Sequence, residues 1–306
     1  MQKILFYCII LPFSWLPLRI IYLFTDSIYL VFRFLFPYRK KVILENLKKS
    51  FPNKSNNEIK LIQNRFYKHF CDLLAEGIKN LSISKKELLK RVKIENPSIM
   101  EQLYAKEKSV LLVSGHYNNW EFLISAQHLL FKHAAFGIGK KMTNAFMDQK
   151  INERRMRFGM RVIHNGNFKA EINKALDTPI AILTLADQSP PDTHKSYWME
   201  FLNQQTPVLF GAEQIAHTYD FAIVYFETIK TKRGHYSIHL KLITEHPTLL
   251  EWGEITEEHT KLLEQTIIEH PEFWLWSHKR WKRTLPEDMN HLKKMQYEKF
   301  NERFKR

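Results

Sequence analysis

From Ile4 to Phe36 the chain is built almost wholly of Ile, Leu, Phe, Tyr and Trp, and only Arg19, Asp26 and Arg33 carry charge. No small-residue cleavage site follows the first apolar run, and hydrophobicity resumes after Arg19, so the segment does not read as a cleavable signal peptide. An ionised residue near the centre of a spanning helix costs roughly 2.5–3.5 kcal/mol, against about 0.3–0.6 returned by each Leu, Ile or Phe. Arg19 and Asp26 therefore make a full span marginal, and Pro12 and Pro17 add breaks. Residues 1–36 are expected to anchor the chain to a membrane, spanning once or lying re-entrant at the interface, with an unusually apolar helix buried in the protein as the plainer account. Tyr38, Arg39, Lys40 and Lys41 follow where the chain would leave the bilayer, which puts the remainder on the cytoplasmic side by the positive-inside tendency.

Between Val42 and Lys90 the apolar positions recur at helical spacing, as in Leu61, Phe66, Phe70, Leu73 and Leu74, which predicts several helices. Phe51-Pro52-Asn53 interrupts the first of them, and Ser55 with Glu58 reads as the capped start of the next. After Pro97 the pattern changes to short apolar runs separated by helix-like stretches. The runs 109–113, 134–138, 161–163, 179–185, 222–226 and 236–243 are strand candidates. Alternation of strands and helices predicts an α/β domain with a central sheet, largely parallel or mixed, flanked by helices. The expected organisation is an anchor over 1–36 and one domain over 37–306. That domain comprises a helical lead-in (37–95), an α/β core (96–290) and a basic C-terminal helix (291–306) that reads as a solvated surface element.

With 306 residues, 44% of them hydrophobic, the chain can bury a sizeable core and is not intrinsically disordered. Two cysteines, Cys8 and Cys71, exclude a disulfide framework or a cysteine-rich zinc site. The formal net charge of +14 would draw the protein to phosphate-bearing surfaces: nucleic acid, anionic lipid or an acidic carrier protein. Trp274, Trp276 and Trp281 beside Lys279-Arg280 could suggest base stacking with phosphate contacts, but alternate aromatics fit core packing better, with the basic groups toward the membrane. The apolar N-terminus favours lipid over nucleic acid.

The sharpest constellation is Ser114-Gly115-His116-Tyr117-Asn118-Asn119-Trp120-Glu121, which follows a predicted strand and opens a predicted helix. On one continuous helix His116 and Glu121 would stand about 140° apart and could not meet. If Asn119 caps the helix, Glu121 lies in its first turn and His116 can fold back from the loop to contact it. The carboxylate would then fix the imidazole tautomer and leave the second ring nitrogen to take a proton from a hydroxyl, while on spacing alone a merely structural histidine accounts for the pattern as well. No serine or cysteine nucleophile is evident beside the pair, so direct attack by an acceptor hydroxyl with His116 as general base fits better than an acyl-enzyme. A metal site is not expected, because the His-Glu-x-x-His helix spacing is absent. Arg154, Arg155 and Arg157 form a basic cluster suited to phosphate recognition, with a solvated helix face as the plainer account. Asp187-Gln188, after the run Ile180 to Leu185, belongs to site architecture or acceptor binding rather than to the proton transfer, or to a structural turn before Pro190-Pro191.

The His116 to Glu121 element resembles the catalytic motif of the glycerolipid acyltransferase superfamily. Further stretches are similar to the branch that adds secondary acyl chains to lipid A: Arg39 to Val42 with Asn46-Leu47 and Ser50-Phe51-Pro52, then Gly115 to Glu121, then Arg155-Met156-Arg157 before Gly159. Ala186-Asp187-Gln188 follows, then Phe201 with Thr206-Pro207 and Gly211, and finally Pro271-Glu272 through Trp274, Trp276, His278, Lys279 and Arg280. The resemblance covers nearly the whole chain. It implies a glycerolipid-acyltransferase-like fold on the cytoplasmic face of a Gram-negative inner membrane. The implied reaction takes an acyl chain from an acyl carrier protein thioester, with acyl-CoA as the other donor, to a hydroxyl of an anionic lipid A precursor, with no metal or organic cofactor. It also makes Arg155 and Arg157 the better candidates for substrate phosphate or oxyanion contact. Rival readings are the same chemistry on a lysophospholipid, an aminoacyl lipid or a glycolipid, and, from another class, a non-catalytic basic membrane-binding scaffold.

Overall fold

A computed structural model of the protein describes residues 2–304 except 140, 165, 167 and 176. Among the described residues nine strands are formed: β1 (Val92–Ile94), β2 (Val110–Ser114), β3 (Ala134–Gly139), β4 (Arg161–His164), β5 (Ile180–Leu185), β6 (Tyr197–Phe201), β7 (Gln204–Val208), β8 (Ala222–Lys232) and β9 (His235–Thr244). Seven of them make one sheet in the order β1-β9-β8-β2-β5-β3-β4, and β6 and β7 form a separate hairpin. All pairings in the large sheet are parallel except β8 with β9, so the sheet is mixed. All six predicted runs lie in it.

Burial on both faces explains why β2 is apolar at four of its five positions. Val110 and Leu112 pack with Phe122, Leu123 and Ala126 of helix Trp120–Leu130. Leu111 and Val113 face the opposite layer, with Ala212 and Ala216 of helix Gly211–Tyr219 and with Ile172 and Ile255. Helices cover the sheet on both sides, as the α/β reading requires.

Ahead of this core come helices Lys40–Ser50, Asn56–Lys79 and Lys85–Arg91. The first ends before Pro52, and Ser55 and Glu58 exchange the two bonds of a capping box at the start of the second. The C-terminal helix runs Met289–Phe304 and seats Leu292 and Phe300 against the domain; residues 305 and 306 of the expected helix lie outside the described residues.

The N-terminal apolar segment folds as a helical run over residues 2–14, with a π turn at Phe6–Ile10 ahead of Pro12, and a second over Leu18–Leu30 that continues through a π turn at Val31–Leu35. Pro17 separates the two with an extended backbone, whereas Pro12 sits inside the first run without ending it. Leu18, Ile21, Tyr22 and Thr25 form one buried stripe at helical spacing, and the first three pack with Ala75 of helix Asn56–Lys79. Asp26 is paired with Arg233 at 2.5 Å rather than left alone in an apolar setting. The outer face is also apolar and stands open: Leu23 is 69% exposed, Phe34 65% and Phe36 75%. Among the described residues no single helix is long and apolar enough to cross a membrane; the bent pair Leu18–Leu35 and Lys40–Ser50, meeting at 81°, meets that test only jointly.

Candidate active site

Register in the sheet decides which distant residues meet. β2 and β5 are parallel neighbours with Ser114 opposite Leu185, so residues two steps beyond each, His116 and Asp187, leave the same end of the sheet side by side. The backbone N–H of Ala186 donates to the carbonyl of Ser114 at 2.9 Å and keeps the two exits together. Gly115 allows the close approach. A Cβ there would lie 2.6 Å from Leu263 Cδ2 and 3.0 Å from the Asp187 carboxylate.

Asp187 is gripped from three directions. Its Oδ1 lies 2.6 Å from His116 Nδ1, and its Oδ2 accepts the backbone N–H of His116 at 2.9 Å and the indole N–H of Trp274 at 2.8 Å. Burial would raise its carboxyl, but the charge of His116 and these hydrogen bonds outweigh burial and hold it down to about 2. An ionised Asp187 accepting from Nδ1–H fixes the tautomer that carries its lone pair on Nε2. There the side-chain amide of Gln188 lies 3.1 Å away. His116 remains partly open to solvent at its mouth and is flanked edge-on by Trp120.

The remaining loops hold this geometry. Asn119 caps helix Trp120–Leu130 as expected, its Oδ1 accepting from Phe122 N at 2.9 Å. Asn118 adopts the left-handed conformation (φ 50°), which asparagine tolerates better than most residues, and its amide donates to the carbonyl of Thr228 at 2.7 Å. His278 accepts the backbone N–H of Ser189 at 3.1 Å; burial pushes its imidazole down to about 4, which keeps it neutral and able to accept.

The contact expected between His116 and Glu121 is not made. Glu121 stands in the first turn of its helix, as anticipated, but reaches the last turn of helix Ala145–Met156, where Arg154 and Arg155 hold it; the Arg155 Nη2 contact is 2.5 Å. Burial raises its carboxyl, and the two guanidinium charges more than reverse that, to about 2. The carboxylate on the imidazole is Asp187, assigned from sequence to architecture or acceptor binding. Arg157, expected at a phosphate, donates to the carbonyls of Leu81 (2.7 Å) and Ile83 and serves to fasten the chain. Arg280 is buried, not at a membrane-facing edge, and donates to the carbonyl of Pro207 at 2.8 Å. Trp274 and Trp276 are core residues. Among the described residues no cluster of three or more His, Cys, Asp or Glu side chains is arranged to hold a metal ion.

A carboxylate between two guanidinium groups is a structural commitment. Glu121→Ala should lower stability by about 3–5 kcal/mol, because Arg154, only 10% exposed, would be left without its charge partner. Thermal unfolding of the purified variant measures this, and an unchanged midpoint would show that the arginines find other partners.

The family of bacterial lipid A biosynthesis acyltransferases matches residues 3–283 of this chain. The chain belongs to that family. No curated protein matches it. The matched stretch runs from the apolar helices to just short of the C-terminal helix Met289–Phe304, and it includes His116, Asp187 and Trp274, which bridges to Tyr117 of the His116 loop. For a lipid A acyltransferase the general participants are an acyl donor and a lipid acceptor, and the working place is membrane-associated.

Proposed function

We propose that the protein moves a fatty acyl chain from an acyl carrier protein thioester to a hydroxyl of a lipid A precursor, with His116 as general base and Asp187 as the carboxylate that orients it. The observation that carries this reading is the His116–Asp187 pair at the ends of two adjacent parallel strands. The acceptor hydroxyl displaces the Gln188 amide from Nε2, gives its proton to that nitrogen and attacks the thioester carbonyl carbon. The imidazolium so formed is stabilised by Asp187. Collapse of the tetrahedral intermediate breaks the carbon–sulfur bond, and the proton returns from His116 to the departing thiolate. Direct attack by the acceptor hydroxyl completes the transfer in one addition–elimination sequence, and no acyl-enzyme is needed.

Glu121 in this scheme organises Arg154 and Arg155. Two guanidinium groups against one carboxylate leave net positive charge beside the histidine, suited to a phosphate of the acceptor or to the oxyanion. The open apolar face of the N-terminal helices seats the protein on the cytoplasmic leaflet of the inner membrane, with Arg33, Arg39, Lys40 and Lys41 at the headgroups. Each large apolar side chain fully withdrawn from water contributes about 1.5–3 kcal/mol. Replacing Leu23, Phe24, Phe34 and Leu35 together by serine should therefore move the protein from the membrane to the soluble fraction without disturbing the buried stripe. Retention at the membrane at high salt would contradict this seating.

The activity itself is tested by offering the purified protein an acyl chain on carrier protein or on coenzyme A, and a lipid A precursor or a lysophospholipid. Products are read by mass spectrometry. A single acyl addition to the lipid A precursor from the carrier-protein donor supports the reading; addition only to the lysophospholipid, or vesicle binding without transfer, would replace it.

A further inference from the structure

Behind the His116 loop lies a buried carboxylate that the chemistry above does not use. Glu76, on helix Asn56–Lys79, is completely inaccessible to solvent. Its Oε2 accepts from the side-chain amide of Asn119 at 2.5 Å and from the hydroxyl of Tyr236 at 2.7 Å, and its Oε1 accepts from the hydroxyl of Tyr22 at 2.6 Å. Burial raises its carboxyl above the ordinary value, and the three donors and the charge of Lys230 pull the other way. An enclosed carboxylate is a costly way to fill space, so what it joins matters. Asn119, three residues after His116, caps helix Trp120–Leu130, and Tyr22 lies on the buried stripe of helix Leu18–Leu30, whose other face is apolar and open. One turn beyond Glu76, Asn80 donates to Ser125 at 2.9 Å and grips the capped helix a second time. One turn along the same helix Arg233 bonds both Asp26 and Asp72 and lies 3.9 Å over the Tyr22 ring, so polar bonds from two neighbouring positions tie helix Leu18–Leu30 to the domain.

We infer that Glu76 is a positioning residue that couples the seating of the apolar helix Leu18–Leu30 to the set of the His116 loop, so that acyl transfer speeds up when that helix rests on a lipid surface. The inference builds on the acyl-transfer and membrane-seating readings above. The path is short and continuous: outer apolar face, Tyr22 hydroxyl, Glu76 carboxylate, Asn119 amide, helix cap, His116 loop. A tilt of the helix moves the Tyr22 hydroxyl, and the carboxylate can follow it only by changing its hold on Asn119.

The test reverses one bond of the path. Glu76→Gln and Asn119→Asp should each lower kcat about tenfold with little change in KM, because each spoils a charge-assisted hydrogen bond. Combining the two substitutions restores a donor–acceptor pair with its polarity exchanged. The introduced glutamine amide donates to the introduced carboxylate and to the Tyr236 oxygen, and that carboxylate still caps the helix at Phe122. The double variant should regain most of the lost kcat. Tyr22→Phe leaves the pair between positions 76 and 119 intact and should abolish the stimulation that vesicles of phosphatidylethanolamine and phosphatidylglycerol give with a short-chain, water-soluble acceptor, while vesicle binding stays at the wild-type level. Multiplied losses in the double variant, or wild-type kcat in Glu76→Gln, would overturn the positioning role. Full stimulation in Tyr22→Phe would overturn the coupling. Wild-type protein that does not bind vesicles would instead refute the seating, and the exchange experiment in solution would still decide the role of Glu76.

Discussion

Asp187→Asn should lower kcat by about 10²–10⁴-fold near neutral pH, with the fold intact and a much smaller change in KM. The substituted amide preserves size and can still meet Trp274 or the backbone of His116. It cannot supply the full negative charge that stabilises the imidazolium, and an amide nitrogen facing Nδ1 favours the wrong tautomer. Glu121→Gln should act differently, with its effects falling on stability and on KM for an anionic acceptor, since its partners are Arg154 and Arg155. Steady-state kinetics on both variants distinguish the two carboxylates. If Glu121→Gln proves the more damaging to kcat, Glu121 and not Asp187 supports the base. Acid stability carries the same signature. Asp187 and Glu121 are both held at about 2 in the folded chain, against ordinary values of 3.8 and 4.5. Their folded-state values are depressed, so the stabilisation they give is complete above the ordinary values and is lost as pH falls from about 4.5 toward 2. Asp187→Asn should flatten the fall of the unfolding temperature across that window.

How much of this is legible in the sequence depends on the distance over which each feature is set. Local patterns carry the six predicted strands of the sheet, the break at Pro52, the Ser55 capping box and the Asn119 cap, because hydrophobic period and cap chemistry act within a few residues. β1 stays hidden because three residues at the end of a helical stretch show no period. The β6–β7 hairpin turns on Leu202 and Asn203, both at positive φ, with none of the Asn-Gly signal that marks such a turn. The site divides the same way. His116 stands out from its place between strand and helix, whereas its partner depends on the β2–β5 register, which brings together residues 71 apart. A carboxylate five positions away is the nearer candidate in sequence, and only the direction of the first helical turn, toward Arg154 and Arg155, removes it from the ring. Trp274 reads as core packing and is buried as such, yet its indole also donates to Asp187; nothing near Trp274 in sequence signals that contact. Arg157 matches a family pattern, but its bonds to Leu81 and Ile83 depend on a neighbouring helix end that sequence spacing does not reveal.

The central claim is that the proton of the acceptor hydroxyl passes to His116. Single-turnover acyl transfer tests it most directly, with enzyme in excess over a thioester donor, a lipid A precursor in mixed micelles, and wild type compared with folded His116→Ala. General-base assistance contributes about 10²–10⁴-fold, so product formation by the variant should fall by at least the lower bound while donor binding is retained. Transfer by His116→Ala at a rate close to that of the wild type would contradict the account.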